Sequence, residues 1–110
     1  MSERSDRLAL NEALFRAINQ RILVTAEAWD VAAEDEPIEF YCECANPDCV
    51  ERTAILPKVF ERIHADPEQF VVIPGHEVAD IERVVSEGDG YVVVRKIGAA
   101  GEFVRRLENP

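Results

Sequence analysis

An α+β fold, with a long N-terminal helix ahead of a small antiparallel β-rich body stapled by zinc, is predicted by three features of this sequence. The first 30 residues contain no Gly or Pro and place apolar side chains at helical spacing. After Pro37 the pattern changes to short β-type runs separated by turn residues. All three cysteines then fall within eight residues, inside "EFYCECANPDCVER", Glu39 to Arg52.

A chain of 110 residues is most simply one domain. Its expected parts are an N-terminal helical region (1–30), an acidic linker (31–38) and the body (39–110). A hydrophobic fraction of 47% and a charged fraction of 31% predict a folded chain rather than a disordered one. The net charge of −10 repels phosphate backbones and anionic headgroups within a Debye length of about 8–10 Å, so neither nucleic acid nor a membrane is the expected partner. The apolar runs fall well short of the ~20 residues that span a bilayer. The charged start "MSERSDR" lacks the apolar core of a signal peptide, which places the protein in the cytoplasm.

The helix is expected from about Ser5, a good cap, to Trp29. Leu8, Phe15, Ile22 and Trp29 recur every seven residues, with Asn11, Ile18 and Thr25 as a second seam. Leu14 widens the stripe, while Leu10, Leu23 and Val24 lie partly off it. Two readings stay open. The stripe packs on the rest of the chain, or Leu8, Phe15, Ile18 and Ile22 form a seam for a protein partner or a second copy. A helix of ~36 Å outruns a body of roughly 22–25 Å, so one end should protrude. The end near Ile22 and Trp29 is then expected as core, and the end near Leu8 and Phe15 as interface.

In the body, "IEFYCEC" and "VERTAIL" read as paired strands around an "ANPD" turn. A short helix follows from Pro57 to Ile63 or His64. "QFVVIPGHE" is a strand that stops at Pro74-Gly75. Ile81 to Lys96 reads as a hairpin turning at Gly88-Asp89-Gly90, with a helix over Ile81–Ser86 as the competing reading. "AAGEFVRRL" is a short terminal helix at best.

Cys42 and Cys44 are two apart, so on a strand both thiols leave one face. Cys49 returns to them beyond the Asn46-Pro47 turn. Three thiols converging on a hairpin begin a tetrahedral Zn²⁺ site, which needs one more ligand. His76, on the turn after Pro74-Gly75, is favoured over His64, whose place near a helix C-terminus has its own explanation. Inert buried thiols, a Cys44–Cys49 disulfide and redox chemistry are the alternatives. Metal is favoured because the surroundings are polar, no C-x-x-C spacing is present and a small body gains most from a structural ion.

No H-E-x-x-H, zinc-deaminase, P-loop, G-x-S-x-G or dinucleotide-binding motif occurs, and Glu77 beside His76 reads as a solvated carboxylate, so no catalytic residue is assigned. The arginines at 4, 7, 16 and 21 are offset by Glu3, Asp6, Glu12 and Glu27 and form no basic stripe. The motifs "FYCECANPDC", "RIHADPEQFVVIPGHEV" and "IERVVSEGDGYVVVRKIG", in that order, resemble a family of small uncharacterised actinobacterial proteins. The resemblance implies Cys42, Cys44, Cys49 and His76 as ligands and implies no catalytic or partner residues. The functional expectation is a binding or adaptor protein with structural zinc; a redox- or zinc-responsive switch is the alternative.

Overall fold

The computed structural model describes residues 3–28 and 36–108. Residues 29–35, which include Trp29 and positions 31–35 of the expected linker, lie outside the described residues, so the expectations placed on them go no further. Helix α1 spans Glu3–Ala28, and strands β1 (Ile38–Tyr41) and β2 (Arg52–Ile55) follow. Helix α2 (Pro57–His64), strands β3 (Gln69–Val72), β4 (Glu82–Glu87) and β5 (Val92–Lys96), and helix α3 (Gly98–Glu108) complete the fold. The α+β class holds, with a C-terminal helix longer than the sequence pattern indicates.

Strands β1 and β2 form an antiparallel pair in which Phe40 faces Thr53. The other three form a separate antiparallel sheet in the order β3-β5-β4. Central β5 buries Val92, Val93 and Val94 in succession, which is why its sequence is a continuous apolar run rather than an alternation. The hairpin reading of Ile81–Lys96 is the observed one, with the register shifting between Val84 and Ser86 as a bulge. Gly90, at φ +85°, makes the turn that a side chain would strain.

Alternation along β3 divides the interior into two clusters. Phe70 and Val72 point to one side, with Val92, Val94, Ile81, Val104 of α3 and the three cysteines. Val71 points to the other, with Phe40, Ile55, Phe60 and Leu23. Pro57 opens α2 and Phe60 is buried beneath it. Its ring stacks on Phe40 with centroids 4.0 Å apart, an aromatic pairing worth about 0.5–1.5 kcal/mol beyond area burial.

The largest departure from expectation is the orientation of α1. Its inward face consists of Ala9, Glu12, Arg16, Asn19 and Leu23. Apolar Leu10, Leu14, Ile18 and Val24 are exposed instead. Polar side chains can face inward here because each meets a partner. Lys96 bridges the carboxylates of Glu12 and Glu82, with all three side chains buried. Arg16 donates to the Pro67 carbonyl and lies 4.5 Å from the centroid of the Phe70 ring. Burial lifts the Glu12 carboxyl well above its usual range, and the adjacent Lys96 charge opposes that rise. Buried positions run from Ala9 to Leu23, roughly 21 Å of helix. The helix therefore lies along the body rather than standing beyond it at the Leu8 end.

Candidate metal centre

The knuckle begins where β1 stops. The Cys42 amide donates to the Glu51 carbonyl at 2.8 Å, extending the β1–β2 pairing by one bond. The chain then turns at Asn46, whose side-chain oxygen accepts from the Asp48 amide at 2.9 Å and whose carbonyl accepts from the Cys49 amide at 3.1 Å. This is the local bonding that makes Asn a turn residue, and it returns Cys49 to the other two thiols.

The fourth group arrives from beyond β3. The His76 amide donates to the Ile73 carbonyl at 3.0 Å across the Pro74-Gly75 turn. Gly75 adopts φ +94° there, a region that side chains avoid. The turn aims the imidazole back at the knuckle. His76 Nδ1 lies 3.6 Å from Cys42 Sγ and 3.7 Å from Cys49 Sγ.

Cys42, Cys44, Cys49 and His76 thus offer three sulfurs and one nitrogen, all within 4.8 Å of one another. Ligands around tetrahedral zinc stand about 3.5–3.8 Å apart, given Zn–S and Zn–N bonds of about 2.3 and 2.0–2.1 Å. The group can hold a metal ion after small closing movements. The sulfurs are buried, whereas the imidazole is partly open.

One tautomer suits the role. His76 Nε2 lies 2.8 Å from Glu51 Oε2, and a neutral imidazole with its proton on Nε2 would donate to that carboxylate and turn the Nδ1 lone pair to the sulfurs. A carboxylate behind a ligating histidine fixes its orientation and raises its basicity. The Ile73 amide also donates to Cys42 Sγ at 3.2 Å, a contact that favours thiolate. Among the sulfurs, the Cys44 thiol is lowered to about 5, first by the hydrogen bond from Cys42. Cys42 is pushed up because it retains the proton of that bond, and Cys49 is pushed up by burial. Loading a divalent cation would therefore displace protons, so occupancy rises with pH.

Two further arrangements hold the knuckle in place. Glu43, between two of the cysteines, is fully buried and accepts from the Val71 amide and from Asn19 Nδ2, each at 2.9 Å. His64 Nε2 approaches the same carboxylate at 3.0 Å. This accounts for His64 inside the second cluster, away from the four candidate ligands. Asn19 also binds both backbone groups of Tyr41 at 2.8 Å, as a neighbouring strand would. Two turns before Asn19, Asn11 donates to the Ala45 carbonyl at 3.1 Å. Asn11 and Asn19 grip the chain on either side of Cys42 and Cys44, joining α1 directly to the candidate centre.

The other predicted residues are distributed differently. Leu8 packs against the cluster that contains the cysteines, and Ile22 against the one around Phe40. Phe15 is half-buried and Ile18 is exposed. Glu77 accepts from the Gly75 amide at 2.7 Å and supports the turn rather than pairing with His76. Glu51, Glu43, Asn11 and Asn19 are the residues that sequence reasoning missed. An acid two residues after Cys49, immediately before β2, was the available signal for Glu51. Comparison with protein-family models, curated proteins and solved structures finds no match to this chain.

Proposed function

We propose that this is a zinc-binding protein of the cytoplasm whose metal is structural and whose helix α1 serves as a protein-interaction element. The observation that carries the reading is the convergence of Cys42, Cys44, Cys49 and His76, with α1 fastened to that knuckle through Asn11 and Asn19. Zinc would close a loop between β1 and the turn after β3. In a chain this small, its binding free energy becomes folding free energy. Four protein ligands leave no position for substrate, which supports a structural ion over a catalytic one. Burial of all three sulfurs supports a permanent staple over a redox switch. No helix among the described residues is long and apolar enough to cross a membrane.

With its polar groups spent on the knuckle and the sheet, α1 turns Leu10, Leu14, Ile18 and Val24 outward, and exposed apolar stripes of this kind mark contact surfaces. Affinity capture of the tagged full chain from its own cytoplasm tests the reading, run beside Leu14→Glu with Ile18→Glu and beside Cys49→Ser. The double variant should keep its zinc and lose bound proteins, whereas Cys49→Ser should lose both. An unchanged set of captured proteins on the double variant would remove the interaction reading.

A further inference from the structure

Two separate pieces of chain meet at the candidate centre, and helix α1 is tied to both. Asn11 and Asn19 fasten the cysteine knuckle. Glu12, the residue after Asn11, reaches the other piece by a different route. Its carboxylate meets buried Lys96, and Lys96 meets Glu82, its cross-strand neighbour at the start of β4. Glu82 divides its carboxylate between two donors. Oε1 accepts from Lys96 Nζ, and Oε2 accepts from the Val78 amide at 2.9 Å. Val78 follows His76 by two residues.

The connection from β3 to β4 runs from Ile73 to Ile81 without helix or strand. Its near end is held to the knuckle, because the Ile73 amide donates to Cys42 Sγ at 3.2 Å. Its far end is held at Val78, where both backbone groups are bonded: the amide to Glu82, and the carbonyl to the Ile81 amide at 3.1 Å. The Val78 side chain packs against the cluster that contains the three cysteines. His76 lies between these anchors. Its own polar contact is with Glu51, whose side chain is 58% exposed, and an exposed ion pair fixes geometry weakly. Glu82 is buried, and a buried carboxylate is tolerated where both oxygens are bonded, as here.

We infer that Glu82 is a positioning residue of the metal centre: through the Val78 amide it holds the turn that presents His76 to the three sulfurs. The inference rests on the zinc reading above and adds a residue that acts through a backbone amide. Ligands held in place before the ion arrives lose less freedom on binding it. Glu12 and Lys96 set the Glu82 carboxylate from α1 and β5, so metal ligation and the docking of α1 share one buried chain of contacts.

Two substitutions separate ligation from stability. Glu82→Gln keeps an oxygen for the Val78 amide and loses the charge that faces Lys96. Glu82→Leu loses both, and leaves Lys96 paired with Glu12. Both should lower the melting temperature. X-ray absorption at the zinc edge, on zinc-loaded full chains, reads the ligands directly. The parent and Glu82→Gln should show three sulfurs and one imidazole, whereas Glu82→Leu should keep the sulfurs and lose most of the imidazole signal. Chelator competition should find zinc held at least about 10-fold more weakly by Glu82→Leu than by Glu82→Gln. Where Glu82→Leu does not fold, a chain with an ester in place of the Val78 amide removes the donor alone and should show the same loss of imidazole. Full imidazole ligation in Glu82→Leu or in the ester chain, or its loss in Glu82→Gln, would overturn the inference and leave the zinc reading standing. A parent without zinc, or with zinc but no imidazole signal, would remove that reading and the inference with it.

Discussion

Asn19→Ala removes a residue that contacts no candidate ligand yet should loosen the centre. Asn19 is fully buried. Its loss leaves the Tyr41 amide, the Tyr41 carbonyl and one oxygen of Glu43 without the bonds they make at 2.8, 2.8 and 2.9 Å. Two neutral bonds at about 1 kcal/mol each, plus about 1.5–3 kcal/mol for one to a carboxylate, give roughly 3.5–5 kcal/mol. For a domain near this size that is a drop in Tm of roughly 15–25 °C. Asn11→Ala, which removes one exchangeable bond, should cost only about 1 kcal/mol and serves as the comparison. Differential scanning calorimetry of the zinc-loaded proteins measures both. Competition with a chromophoric chelator should show zinc held more weakly by Asn19→Ala, since binding and folding draw on one free energy. A variant that melts within about 3 °C of the parent and holds zinc as tightly would refute the idea that α1 is fastened through Asn19 to the knuckle.

Three further outcomes follow from the same geometry. Glu51→Ala should lower zinc affinity about 10- to 100-fold through the freed imidazole, measured by chelator competition, while Glu77→Ala should not. Lys96→Met strands the buried Glu12 and Glu82 carboxylates and should lose about 3–5 kcal/mol in urea unfolding; a loss under 1 kcal/mol would show that the triad contributes little. Because the folded-state value of Glu12 is raised above its ordinary 4.5, its contribution is full below that pH and declines as pH rises through the folded value. The stability of Glu12→Gln relative to the parent should therefore improve with rising pH above about 4.5, and a constant difference would remove the assignment.

The candidate centre was legible because its chemistry is local. Cys42, Cys44 and Cys49 share one hairpin, and Pro74-Gly75 marks the turn that delivers His76. The helix and the Ile81–Lys96 hairpin were legible from periodicity and turn residues. The facing of α1 was not. Pattern reasoning assigns apolar side chains to the inside, and here Glu12, Arg16 and Asn19 are inside because Lys96, Glu82, Pro67 and Tyr41 receive them. Those partners lie far along the chain and nothing local announces them. Glu43 was hidden similarly: an acid between two cysteines reads as surface until Val71, Asn19 and His64 close around it.

Native mass spectrometry of the purified full chain, with elemental analysis of the same sample, tests the central claim most directly. About one zinc per chain is expected, lost or greatly reduced in Cys49→Ser and His76→Ala and retained in His64→Ala. Chelation should lower the melting temperature of the parent as the staple is removed. A metal-free chain whose stability is indifferent to added zinc, or full zinc retention by His76→Ala, would contradict the account.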